Sequence, residues 1–136
     1  MNYSQMYAAS QQSPEDFWME QAKQISWFTE PEQALSQEDG LYRWYKGGKL
    51  NTSYLAVDYH VENGRGDQLA LIYDSPVTGK KATYTYKELQ EEVARFAGVL
   101  THLHVEKGDR VVIYMPMIPQ VVFAMLACAR VGAVHS

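Results

Sequence analysis

The chain has 136 residues, enough for one ordinary domain and too few for a large multidomain enzyme. At 46% hydrophobic and 21% charged, with unexceptional glycine and proline, it is neither collagen-like nor disordered. A net charge of −4 lacks the basic footprint of a nucleic-acid binder.

The opening Met1-Asn2-Tyr3-Ser4-Gln5 has neither a basic start nor an apolar core, so it does not read as a signal peptide. A helix is predicted from Ser13, with Ser13 as its cap, Pro14 at the first helical position, and Glu15 and Asp16 facing the positive end of the dipole. Phe17, Ala22 and Ile25 form its apolar stripe, flanked by Trp18 and Trp27. The polar stretch from Thr29 to Gly40 reads as a loop. Leu41 to Val61, rich in aromatics and broken by Gly47-Gly48 and Asn51, reads as an irregular segment that wraps another surface. Asn63 to Asp67 reads as a turn-rich connector.

Regular patterning follows. Leu69 to Tyr73 and Ala82 to Tyr86 read as strands around the turn Ser75 to Gly79. Thr85 and Glu88 make a capping box for a long helix carrying Leu89, Val93, Phe96, Ala97, Leu100 and Leu103 on one face. Lys107-Gly108-Asp109 leads into a strand from Arg110 to Met115. Pro119 opens a helix to Val131, Gly132 ends it, and Ala133 to Ser136 begins another strand. The alternation implies an α/β fold with a parallel sheet covered by helices.

The helix from Pro119 to Val131 is apolar on every face, which suits a protein interior. A domain of this size buries only about 70% of its surface and struggles to enclose a whole helix. The chain is therefore expected to be a truncated piece of a larger protein, against the alternative of a dimer or a small domain using this helix as core. Its longest apolar stretch, Val121 to Ala129, falls short of the roughly 20 residues that span a bilayer, so no membrane association is expected.

Motifs that carry chemistry elsewhere read here as structure. Val77-Thr78-Gly79-Lys80-Lys81 lacks the first glycine of a phosphate-binding loop and the hydroxyl after its lysine, and reads as a hairpin turn. His102 and His104 have no third ligand at suitable spacing. His60 beside Asp58 has no accompanying nucleophile and reads as a hydrogen-bonded structural histidine. Arg65-Gly66-Asp67 is a chance adhesion tripeptide. Cys128, the only cysteine, excludes an intrachain disulfide and a cysteine zinc site, fits a reducing cytoplasmic setting, and reads as a buried, inert thiol. Gly47-Gly48 permits either close approach of a ligand or a tight turn. No catalytic, cofactor-binding or metal-binding residue is assigned.

Several stretches resemble the amino-terminal region of acetyl-CoA and propionyl-CoA synthetases, members of the adenylate-forming enzyme superfamily. Pro14-Glu15-Asp16-Phe17-Trp18 with Trp27 resembles their opening helix, Trp44 to Asn51 their aromatic–glycine–glycine–asparagine segment, and Thr85 to Leu89 the start of their next helix. The longest likeness runs from Lys107 to Pro119 and from Met125 to Ser136. Tyr59 stands where the family usually has arginine, and His104 where a glycine commonly precedes the valine of the turn.

The resemblance implies a leader helix and wrapping segment over residues 1–66 and the start of the AMP-binding domain over 67–136. It implies a parent enzyme that activates a short carboxylate with ATP and Mg2+ to an acyl-adenylate and passes the acyl group to coenzyme A. The phosphate loop, the nucleotide-holding residues, the catalytic lysine and the loop that helps receive coenzyme A are expected beyond Ser136. The chain alone is expected to be inactive and to bind none of these molecules tightly; its partners would be the rest of the same polypeptide and, in the parent, the small-molecule substrates. Ile25-Ser26-Trp27 and Tyr73 to Thr78 resemble the propionyl-CoA enzymes more closely, with acetate as the alternative substrate. A naturally short interaction module without catalysis is the other alternative.

Overall fold

The computed structural model describes residues 2–136. They are mixed α/β, in the order α1 (Tyr3–Gln12), α2 (Pro14–Ala22), β1 (Gln33–Glu38), β2 (Leu41–Lys46), two π-helical turns (Tyr54–Asp58 and Val61–Arg65), β3 (Leu69–Asp74), β4 (Lys81–Thr85), α3 (Tyr86–His102), β5 (Arg110–Val111), α4 (Pro119–Val131) and β6 (Val134–His135). The chain forms two compact units, which divide between Leu50 and Asn51.

In the first unit, α1 is an exposed helix that apolar spacing does not announce. A capping box starts it: Asn2 Oδ1 accepts from the Gln5 amide at 3.0 Å and Gln5 Oε1 from the Asn2 amide at 3.0 Å. Helix α2 begins at Pro14, but Ser13 makes no side-chain cap bond. Glu15 reaches beyond its own helix. Its carboxylate accepts the amides of Ala34 at 2.7 Å and Leu35 at 3.1 Å, tying the first turn of α2 to β1.

The expected loop from Thr29 to Gly40 contains β1, and the expected irregular segment contains β2. The two strands pair antiparallel, with Leu35 opposite Trp44 and Glu38 opposite Leu41. The connection is Asp39-Gly40, with both residues at positive φ (51° and 77°), a two-residue turn whose twist matches the strands. Polar composition hid β1; the Asp-Gly pair was the available signal for the hairpin.

In the second unit, β3 and β4 form an antiparallel hairpin that leads directly into α3. Thr85 Oγ1 accepts from the Glu88 amide at 3.2 Å while Glu88 Oε2 accepts from the Thr85 amide at 2.8 Å, so the expected capping box is present. The buried face of α3 carries Leu89, Val93, Ala97 and Leu100, whereas Phe96 is only half-buried and Leu103 is exposed. That face packs with Val57, Phe123, Ala127, Cys128 and Ala133 as one core. Helix α4 buries Phe123, Ala124, Ala127 and Cys128, but Met125 on its other side is 41% exposed, so only one face is fully enclosed here.

Parallel pairing is confined to β5 and β6, joined by α4. Strand β5 is shorter than its apolar run because its partner is short. The Val134 amide donates to Asp109 O at 2.7 Å, the Ser136 amide to Val111 O at 3.0 Å and the Ile113 amide to Ser136 O at 2.8 Å. Tyr114, just beyond, is fully exposed.

Substituting Thr85→Ala removes the reciprocal cap and should cost about 1 kcal/mol, seen as a lower urea midpoint at unchanged slope. Gly132 ends α4 at φ 81°, and a Cβ there would meet the flexible Lys107 side chain at 2.9 Å. Gly132→Ala should therefore cost about 1–2 kcal/mol, mostly from the left-handed backbone, in the same unfolding measurement.

Candidate functional site

The motifs weighed in the sequence resolve into structural positions. Ser75 to Lys80 is the β3–β4 connection: the Ser75 amide donates to Lys80 O at 2.9 Å and the Gly79 amide to Ser75 O at 2.8 Å. The turn joins two strands rather than a strand and a helix, and Lys81 pairs with Asp74 at 2.7 Å across it. It offers no cradle of amides to a phosphate. His102 and His104 are both exposed, and among the described residues no group of three His, Cys, Asp or Glu side chains is placed to hold a metal ion.

Gly47 and Gly48 serve packing within the first unit. Gly47 has φ 77°, and a Cβ on Gly48 would lie 2.9 Å from the Trp27 ring. Trp27 in turn donates its indole N–H to Ala22 O at 2.8 Å and packs against Tyr45 at 5.5 Å between ring centroids. What the close backbone approach serves is an indole of the same chain.

Arg65-Gly66-Asp67 lies in the turn before β3, where Gly66 O accepts from the Lys87 amide at 3.0 Å. Cys128 is fully buried on α4 and burial pushes its thiol up, which keeps it protonated and inert.

Asp58 and His60 do not work together. Asp58 accepts from the guanidinium of Arg130 on α4, 72 residues away, and from Gln90 Nε2 on α3 at 2.8 Å. Asn51 completes the arrangement: its side-chain amide donates to Arg130 O at 3.0 Å, and its oxygen accepts the Tyr54 amide at 3.0 Å. The four residues Asn51, Asp58, Gln90 and Arg130 form the most developed polar cluster of the second unit. Sequence reading missed it, since its members are separated by tens of residues and no local spacing signals the pairing. Asp58 and Arg130 carry opposite charges, and the cluster ties residues 51–58 to α3 and α4.

The His60 ring lies 4.6 Å from Tyr86 and 5.7 Å from Tyr59 between centroids, and its Nδ1 is buried without a hydrogen-bond partner. The expectation of a hydrogen-bonded histidine fails at that nitrogen. Burial, with a smaller contribution from the positive charge of Arg65, lowers its pKa.

Alongside α4 the surface carries two shallow grooves that share Tyr84 and Gln120: one runs past Phe96 and Phe123, the other past Tyr73 and Lys80. Neither gathers a titratable constellation, and no helix of the described residues is long and apolar enough to cross a membrane.

Comparison with known proteins places this framework. The profile described as AMP-binding enzyme matches residues 58–136, and the one described as acetyl-coenzyme A synthetase N-terminus matches residues 3–56. A Pseudomonas aeruginosa protein without assigned function is 56% identical over all of this chain and 22% of its own length. The human mitochondrial acyl-CoA synthetase short-chain family member 3 is 54% identical over 98% of this chain and 20% of that protein. Acetyl-coenzyme A synthetase of Rubrobacter xylanophilus is 47% identical over 96% of this chain and 20% of its own. Among solved structures, acetoacetyl-CoA synthetase from Streptomyces lividans matches with a TM-score of 0.86 at 32% identity, covering 100% of this chain and 21% of that one. The chain thus spans about a fifth of the length of the relatives it matches.

Because the folded pKa of His60 is depressed, the folded state binds fewer protons there than the unfolded chain. Its contribution to stability is thus full above the unfolded value, about 6.5, and falls as pH drops from there through the folded value. Subtracting the pH–stability curve of His60→Gln from that of the wild type should leave a difference that shrinks with acid in this range; a flat difference would contradict the partial burial of the ring.

Proposed function

Given that this chain belongs to the AMP-binding enzymes, we propose that it forms the N-terminal part of an AMP-forming short-chain acyl-CoA synthetase, with propionate as the carboxylate. In that reaction a carboxylate oxygen attacks the α-phosphorus of ATP and pyrophosphate leaves. The thiol of coenzyme A then attacks the acyl carbonyl, and AMP leaves with the proton of the thiol taken up by solvent or enzyme. The observation that carries the reading is the succession of two profiles on one chain, an acetyl-coenzyme A synthetase N-terminus followed directly by an AMP-binding region.

The role of these residues is to build and brace. Residues 1–66 are read as leader and wrapping segment and residues 67–136 as the start of the AMP-binding domain. The residues that hold ATP, coenzyme A and Mg2+ are read as lying outside this chain; the Gly79-Lys80 turn is a hairpin between β3 and β4. No step of the reaction is therefore assigned to a residue of this chain. ATP, coenzyme A and the carboxylate are substrates of the whole enzyme, and a cytoplasmic location accompanies that reading.

Propionate is favoured over acetate by the Ile25-Ser26-Trp27 and Tyr73 to Thr78 stretches. Acetate is the second reading, supported by the Rubrobacter relative and by the N-terminal profile, both of which carry the acetyl-coenzyme A synthetase name.

The isolated chain should show no propionate-dependent exchange of labelled pyrophosphate into ATP. The polypeptide read from the complete reading frame should show it, with kcat/KM higher for propionate than for acetate. Exchange by the isolated chain would overturn the framework role, and a preference for acetate would overturn the substrate.

A further inference from the structure

Residues 52–65 form an irregular helical strap with unusual features concentrated on it. Its first π-helical turn is closed by the Tyr59 amide donating back to Tyr54 O as well as Val57 O. Such turns are rare and close their hydrogen bonds over one residue more than an α-helix does. Its second is broken at Asn63 (φ −94°, ψ 25°) and Gly64 (φ 77°, ψ 15°).

The strap also carries two of the three buried side-chain polar atoms left without a partner among the described residues, Ser53 Oγ and His60 Nδ1. Each is a desolvated group that regains hydrogen bonds to water if the strap lifts. Against this, the strap contributes only Val57 to the apolar core. The rest of its anchorage is the His60 ring against Tyr86 of α3 and a set of polar contacts: Asp58 to Arg130 and Gln90, and Asn51 at its base to the last carbonyls of α4.

We propose that residues 52–65 are a latch that opens as a unit without unfolding the α3–α4 core, and that the Asp58–Arg130 ion pair, steadied by Gln90, is its catch. Opening frees the Arg130 guanidinium and loosens the last turn of α4, which feeds β6. Asn63-Gly64, where the backbone already leaves helical geometry, is the hinge toward β3. Two features favour opening at this place: Val57 is the single core side chain that the strap withdraws, and two polar groups are rehydrated. This inference rests on geometry within the second unit and is independent of the substrate assignment.

The test is hydrogen–deuterium exchange at peptide resolution on the intact protein. In Arg130→Met, which keeps the stem and removes the charge, strap amides from Leu55 to Arg65 should exchange about tenfold faster, while those of α3 from Val93 to Leu100 change by less than about twofold. Equal acceleration of both segments, or of neither, overturns the latch. A wild-type series in sub-denaturing urea gives an answer that needs no variant. Strap exchange should be nearly independent of urea, as for a small local opening, whereas α3 should follow the slope of global unfolding. A common slope for the two overturns the proposal, whatever the fate of Arg130→Met.

Discussion

Everything in the second unit depends on how α3 and α4 lie against each other. Helix α3 offers Leu89, Val93, Ala97 and Leu100; α4 answers with Phe123 at one end and the small residues Ala124, Ala127 and Cys128 along the rest. A bulky row against a small row permits close approach without voids, the condition for interior density. Phe123 closes this core toward the hairpin through an edge contact with Tyr84, 5.2 Å between centroids. Strands β3 and β4, the strap and β6 each take their place from this helix pair.

The ends of the two helices are as defined as their faces. Thr85 and Glu88 start α3; Pro119 starts α4 and Gly132 stops it. Asn51 then secures the end of α4 from outside by hydrogen bonds to its last carbonyls, and Arg130, in that last turn, reaches out to Asp58. Both groups of the pair are largely shielded, with side-chain exposures of 25% and 14%, so losing one partner would leave the other desolvated. The Asp58–Arg130 contact thus holds the α4 end and the strap together rather than adding a surface decoration. The first unit has its own equivalent in Glu15, whose carboxylate satisfies the amides of Ala34 and Leu35 on β1 and so ties α2 to that strand.

The motifs singled out in the sequence take structural places in the fold. His60, the lone cysteine and the glycine–lysine turn each belong to local structure: an aromatic cradle, a buried helix face, a hairpin, while His102 and His104 stand exposed. Family membership came instead from long stretches of scaffold sequence, such as Lys107 to Pro119, whose constraint is the way the turn, strand and helix join. That is a signal of architecture, and it names a reaction only through the relatives that share it.

Local chemistry was legible from the sequence alone. The start of α2 at Pro14, the β3–β4 hairpin, the capping box and buried stripe of α3, and α4 with its glycine stop all follow from spacings of a few residues, because caps, turns and helical faces are short-range devices. The β1–β2 hairpin was within reach through Asp39-Gly40, though the polar strand beside it masked the pattern. The shielded pairing of Asp58 with Arg130, the grip of Glu15 on β1, the stacking of Gly48 under Trp27, the exposed side of α4 and the early end of β5 were decided only in three dimensions. Each depends on what arrives from a distant part of the chain, and neither residue type nor periodicity encodes a partner 72 positions away.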